Sequence, residues 1–254
     1  MKLSFCFVLS MVFAGAFWDA PNAEPVDLEV MRALSEKFDF TLQHRDEPSG
    51  RVRFLYADRS NHIHVYRLED DQLELDWEQT NLGSRVTSMF ITELYGDGRP
   101  LLVFSTFGGR ILVYDMDGYD LEWENLQDPF ETIHYMVAEN VDLDPQLELI
   151  FIAVDKLVIY DSLHKTFEWV SQQRVAATEI KMADLDDDPQ LEIILNSGVI
   201  FDSKFYNIEL EADKPFGARM FLFDLNGDGI PEIFGESTDY TLRVYDRYAE
   251  REVW

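Results

Sequence analysis

An all-β fold of about five four-stranded units is what the sequence predicts, on three recurrences that run in phase. The nine residues DLNGDGIPE at 224–232 have weaker copies at 93–101 (ELYGDGRPL), 140–148 (NVDLDPQLE) and 184–192 (DLDDDPQLE), with starts 47, 44 and 40 residues apart. An apolar residue, an aromatic and usually Asp recur as Val65-Tyr66-Arg67, Val113-Tyr114-Asp115, Ile159-Tyr160-Asp161, Ile200-Phe201-Asp202 and Val244-Tyr245-Asp246. Trp123, Trp169 and Trp254 each follow that aromatic by nine residues and Trp77 follows it by eleven, whereas the fourth unit has no tryptophan there. A period of this length belongs to solenoids or propellers, and the elements inside each unit decide between them.

Those elements read as strands. In the fourth unit, residues 179–183, 191–195 and 199–201 are short apolar or alternating runs separated by Asp, Pro, Asn and Gly, the pattern of strand, turn, strand, turn, strand. The last unit repeats the order at 221–223, 231–234, 241–245 and 252–254, and no run between anchors has helical spacing. Four-stranded units repeated radially are the blades of a β-propeller, here about 37–80, 85–127, 132–173, 176–214 and 217–254. The first blade is degenerate, with Asp46, Glu47 and Pro48 where later units carry the acidic loop. Every blade then begins on its own first strand and ends on its own fourth, so no strand exchange between the termini is expected.

Ahead of the blades, Lys2 precedes an apolar run from Leu3 to Phe17, too short to span a bilayer comfortably and suited to a secretory signal over 1–23. Cys6, the single cysteine, falls inside it. Residues 24–36 form a leader in which Leu28, Met31 and Leu34 recur at helical spacing, read either as one short amphipathic helix or as an unstructured link. A secreted, periplasmic or cell-surface setting follows. The chain has 254 residues, 46% of them hydrophobic, enough for one large all-β domain.

Forty-nine acidic against 21 basic residues give a net charge of −28. Such a surface repels phosphate backbones and anionic headgroups, which argues against nucleic acid and anionic membranes as partners. Many of the acids are concentrated in the repeated loops. Oxygen ligands at alternate positions one, three and five, with a carbonyl at position seven and Gly at six for the bend, are calcium chemistry. Asp224, Asn226, Asp228, the carbonyl of Ile230 and Glu232 meet this in full. Asp184, Asp186, Asp188, Gln190 and Glu192, and likewise Asn140, Asp142, Asp144, Gln146 and Glu148, come close, but Pro189 and Pro145 replace the glycine and must turn the chain differently. The copy at 93–101 has Tyr95 and Leu101 at ligand positions and is expected to bind nothing. The loop at 224–232 is therefore expected to be the tightest site. The competing reading is that the acids are solvated turns that keep the protein soluble.

On these motifs the chain resembles the FG-GAP or VCBS-type repeats of secreted and cell-surface propellers, whose blades carry a DxDxDGxxD or similar loop. The resemblance covers about 85–254 and implies bound calcium. Residues 109–123, ending in Trp123, also look like the outer half of a quinoprotein-like propeller repeat, in which the tryptophan docks one blade on the next. Neither resemblance carries a catalytic residue across.

His62 and His64 are two apart and face one way on a strand, but a third metal ligand at useful spacing is missing from the sequence. No GxSxG, HExxH or P-loop is present. The function the sequence supports is a non-catalytic, calcium-binding module for a protein or glycan partner. The alternatives are a glycan hydrolase or lyase with carboxylates at the channel mouth, and an envelope assembly scaffold that offers blade edges to extended peptides.

Overall fold

The computed structural model describes residues 38–45, 49–69, 72–126, 130–142, 144–186, 188, 190–237 and 240–253. The expected signal segment, the leader at 24–36, Lys37, the turn at 46–48, Pro189 and Trp254 lie outside the described residues. Among the described residues twenty strands form five antiparallel sheets of four consecutive strands each. Blade 1 holds β1 (Phe38–Arg45), β2 (Val52–Asp58), β3 (Ile63–Glu69) and β4 (Gln72–Gln79). Blade 2 holds β5 (Val86–Thr92), β6 (Leu101–Thr106), β7 (Ile111–Asp115) and β8 (Leu121–Glu124). In blade 3 come β9 (Ile133–Glu139), β10 (Glu148–Ala153), β11 (Lys156–Asp161) and β12 (Thr166–Val170). Blade 4 follows with β13 (Ile180–Ala183), β14 (Glu192–Leu195), β15 (Val199–Asp202) and β16 (Ile208–Glu211), and blade 5 with β17 (Arg219–Phe223), β18 (Glu232–Glu236), β19 (Leu242–Asp246) and β20 (Arg251–Glu252). The fold is the expected all-β propeller type, and among the described residues no strand passes between blades.

Burial along the second strands shows how the blades stack. In β6, β10 and β14 every residue is buried, because a neighbouring blade covers each face. Strand β2 instead alternates half-buried and buried residues. Leu55 and Ala57 face blade 2 within one core cluster, while Phe54 and Tyr56, on the other side, are only half-buried and belong to no core cluster among the described residues. Three further clusters join blades 2–3, 3–4 and 4–5. None among the described residues joins blade 5 to blade 1, and Phe221 and Phe223 on the fifth blade stay half exposed.

Three of the four seams are fastened by the recurrent tryptophan. The Asp after the recurrent aromatic accepts backbone N–H bonds from the turn that follows: Asp115 from Asp117 and Gly118, Asp161 from Leu163 and His164, Asp202 from Lys204 and Phe205. These turns close on a non-glycine residue in left-handed backbone, namely Tyr119, Lys165 and Tyr206 at φ 57°, 59° and 57°. Such a conformation costs about 1–2 kcal/mol. The side chain so displayed receives the preceding blade's indole. Trp77 stacks on Tyr119 at 5.2 Å and meets Tyr114 edge-on at 4.9 Å. Trp169 does the same with Tyr206 at 5.2 Å and Phe201 at 5.8 Å. Trp123 lies over Tyr160, with the Lys165 ammonium 4.5 Å from its ring centre. The tryptophans therefore dock blade on blade, as the resemblance implied.

Truncating Trp123 or Trp169 to Ala removes a partly buried indole from a packed seam and should cost about 2–4 kcal/mol. Denaturant midpoints measure it, and a loss below about 1 kcal/mol in both variants would contradict the docking role.

Candidate functional site

The docking tryptophan also sets the geometry of the acidic loops. In the fourth strand of blade 3, Phe167 pairs with Tyr160 and Trp169 with Ile159, so Glu168 between them is a β-bulge residue outside the ladder. The same register slip leaves Asp76, Glu122 and Glu209 at the bulges of blades 1, 2 and 4. Within a blade the loop between the first and second strands and the hairpin between the third and fourth share one edge of the sheet. In blades 2, 3 and 4 the bulge acid is thus placed beside its blade's acidic loop.

Three of the four bulge acids have a built-in cation. Asp76 faces Arg67 at 3.4 Å and Arg53 at 3.7 Å and accepts the Tyr119 hydroxyl at 2.7 Å. Glu122 accepts from Arg99 Nη1 at 2.5 Å, and Arg99 Nε donates to Asp97 at 2.8 Å. A guanidinium from position seven of the loop thereby sits between the loop acid and the bulge acid of blade 2. Arg247, from blade 5, stands 3.8 Å from Glu209. Glu168 has no such partner among the described residues. It accepts the Tyr206 hydroxyl at 3.2 Å and gathers with Asp142 and Glu148, each offering a carboxylate oxygen within 4.8 Å of the others. A second group of the same kind, Asp184, Asp186 and Glu192, forms in blade 4.

The ninth-position acids are buried staples as well as candidate ligands. Glu148 and Glu232 accept the N–H of Val141 and Leu225 at 2.9 and 2.7 Å, and Glu192 accepts that of Leu185. Burial pushes Glu148 from the ordinary 4.5 up to about 7 and Glu192 up to about 8, against the pull of those N–H bonds. Asp142 and Glu168 add to the first shift, Asp186 and Glu209 to the second. Burial, then Asp142 and Asp161, also raise Glu168. Carboxylates crowded in this way hold either a proton or a cation.

The remaining expected ligands are turned inward on the loops. Asp144 accepts the Gln146 N–H at 2.9 Å and bonds the Gln146 side-chain amide, while the Asn140 amide donates to the Asp144 carbonyl. Asp188 accepts the Gln190 N–H at 2.7 Å. At 224–232, Asp224 accepts from Gly227 and Gly229, Asn226 from Asp228, and Asp228 from Ile230, while the Asn226 amide donates to Glu232. These are successive Asx turns. Among the described residues Asp224, Asp228 and Glu232 do not form a three-carboxylate group, whereas such groups do form in blades 3 and 4.

Two partners were missed in the sequence. Glu168 carried a signal, since an acid directly precedes each docking tryptophan in Asp76-Trp77, Glu122-Trp123 and Glu168-Trp169, whereas Glu209 precedes Leu210 and carried none. The third ligand thought missing beside His62 and His64 is Asp58, whose Oδ2 lies 3.7 and 3.2 Å from their ring nitrogens across the β2–β3 turn. His62 sits in that turn and not on the strand.

Neighbouring loops hold the blade 3 site in place. The Leu147 N–H donates to the Leu94 carbonyl at 3.0 Å, and a Cβ on Gly96, at φ +66°, would fall 2.2 Å from the Pro145 carbonyl. Only glycine permits that approach.

No protein-family model matches the sequence, and no curated protein does. Solved structures do match in fold. The structure of BBS1N in complex with ARL6DN, soaked with lead, superposes with a TM-score of 0.59 at 12% identity, over 86% of this chain and 67% of that one. Its mercury-soaked counterpart gives 0.58 at 13%, over 86% and 65%. Sqt1 of Saccharomyces cerevisiae gives 0.56 at 11%, over 80% and 57%. Both proteins have β-propeller-type folds, and at this identity the likeness is one of fold. The chain spans between about half and two thirds of their length.

The raised carboxyls fix the sign of a pH effect. A group whose folded value exceeds its unfolded value stabilises the fold below the unfolded value and loses that contribution as pH rises through the folded one. In a chelating buffer the melting temperature should therefore fall from about pH 5 to about pH 8, the window between the ordinary 4.5 and the raised values of Glu148 and Glu192. Replacing both with Gln should flatten the fall, separating it from general charge repulsion. A double variant that keeps the full pH slope would contradict the assignment.

Proposed function

We propose that this chain is a non-catalytic, protein-binding propeller of the FG-GAP or VCBS kind, with a calcium ion held in blade 3 by Asp142, Glu148 and Glu168. The observation that carries the calcium assignment is the exchange of cations along the repeat. Blades 1, 2 and 4 neutralise the bulge acid with an arginine, and in blade 2 that arginine also ties down the loop acid. Blade 3 presents the same acid with two more carboxylates and no arginine among the described residues. A divalent ion supplies the missing charge, and all-oxygen donors of this kind suit calcium. Asp184, Asp186 and Glu192 make a weaker second site, since Arg247 already approaches the neighbouring Glu209.

Protein binding is supported by the fold likeness to BBS1N, which is in complex with ARL6DN in the matched structures. The site rigidifies one loop edge of the propeller, and such edges are where rigid scaffolds carry recognition. A protein partner is preferred to a glycan on that likeness. The secreted, periplasmic or cell-surface setting rests on the apolar run that follows Lys2.

Calorimetric titration with calcium tests the metal assignment. Wild type should bind, Glu168→Gln and Asp142→Asn should each weaken the strongest site at least tenfold, and Asp228→Asn should change it less than threefold. Magnesium should bind more weakly, because it demands a tighter octahedron. No calcium binding by wild type, or undiminished binding by Glu168→Gln, would overturn the assignment.

A further inference from the structure

The fourth unit lacks the docking tryptophan, and the structure has a cavity at that seam. At three seams the repeat places an indole against the next blade's aromatic and against the left-handed residue five positions after it. Between blades 4 and 5 those three positions are Leu210, Tyr245 and Glu250, the last again in left-handed backbone at φ 49°. All three line one cavity of about 420 Å³, a size at which pockets take small ligand groups. The three seams that carry tryptophan show what the fold accepts at this position.

Its walls are built for a ring. Tyr245 and Phe216 stand 5.2 Å apart at 54°, giving two aromatic faces, and Ala212 and Leu210 leave room beside them. Phe216 is held from behind: a Cβ on Gly235 would lie 1.9 Å from its carbonyl, and its N–H donates to the Asn196 carbonyl at 3.1 Å. Around the mouth, Arg243 pairs with Glu252 at 3.8 Å, while Lys214 and Arg251 stand among Asp213 and Glu250. With Glu211, four acids stand against three bases there, a near balance in a chain whose net charge is −28. An uncharged aromatic group suits that balance better than an ionic one, and a carboxylate on the wall can accept an indole N–H.

We propose that the seam between blades 4 and 5 is a receptor for a tryptophan side chain of a partner protein, entering where the other seams hold a tryptophan of their own. The proposal rests on the protein-binding reading for the source of the ring. The geometry also makes the site an internal copy of the docking contact, so a single substitution should close it from within.

The test uses N-acetyl-tryptophanamide as probe, followed by saturation-transfer NMR on the full chain, with N-acetyl-leucinamide and free indole as comparisons. Wild type should bind the tryptophan amide at least tenfold more tightly than the leucine amide. Leu210→Trp should abolish that binding and raise the melting temperature, and Tyr245→Leu should weaken the binding at least tenfold without needing the larger side chain to fit. No binding of the tryptophan amide, or equal binding by wild type and both variants, would overturn the site. Binding of free indole without the amide would overturn the protein source. A capped amino acid reads the cavity alone, so its failure leaves the protein-binding reading standing, and failure of the calcium titration leaves this cavity standing.

Discussion

Everything else in the structure depends on one repeated contact, the stacking of a tryptophan from one blade on the left-handed hairpin residue of the next. The second strands of blades 2, 3 and 4 are apolar and buried on both faces, so each of these sheets needs a neighbour to cover it. The contact decides which faces meet and at what angle. It also offsets the backbone strain at Tyr119, Lys165 and Tyr206, each held at positive φ where its side chain receives the indole. Just before the docking position the strand skips one ladder position, and the skipped residue is an acid in blades 1 to 4, with Leu210 standing for the tryptophan in blade 4. The seam and the acidic site are thus two results of one register slip.

That linkage explains how a chain of net charge −28 tolerates carboxylates packed against one another at its seams. Like charges at such distances repel strongly once water is partly removed. Arginines reply in three blades, each from a different place: the third strand and the adjacent second strand in blade 1, position seven of the loop in blade 2, and the following blade's hairpin in blade 4. Because the source differs while the target does not, the requirement is for positive charge at that point and not for a particular side chain. In blade 3 the requirement is met by protons or by an ion.

The architecture was legible in the sequence because its signals are local and periodic. The loops, the aromatic anchors and the tryptophans each sit in one short segment, and their phase alone implied five blades of four strands. The candidate carboxylate group of blade 3 was only half legible. A motif scores residue types within nine consecutive positions, so it favoured 224–232, where every type matches. In the structure those oxygens bend back on their own backbone, at Gly227, Gly229 and Ile230. Glu168, the residue that completes the blade 3 group, stands 20 residues past Glu148 on the last strand of the blade. Its placement follows from a β-bulge on a different strand, which a motif confined to nine consecutive residues does not reach. Asp58 lies only four and six residues before His62 and His64, and it is the ordinary β2–β3 turn that brings its carboxylate to them.

The central claim is that a divalent ion takes in blade 3 the place that arginine takes in its neighbours. A crystal structure of the chain grown with calcium, with anomalous differences collected at a long wavelength, addresses it directly. The account predicts its strongest peak among Asp142, Glu148 and Glu168, with ligand distances of about 2.3–2.6 Å. A map whose strongest peak lies in the loop at 224–232, or one with no peak in any acidic loop, would contradict it.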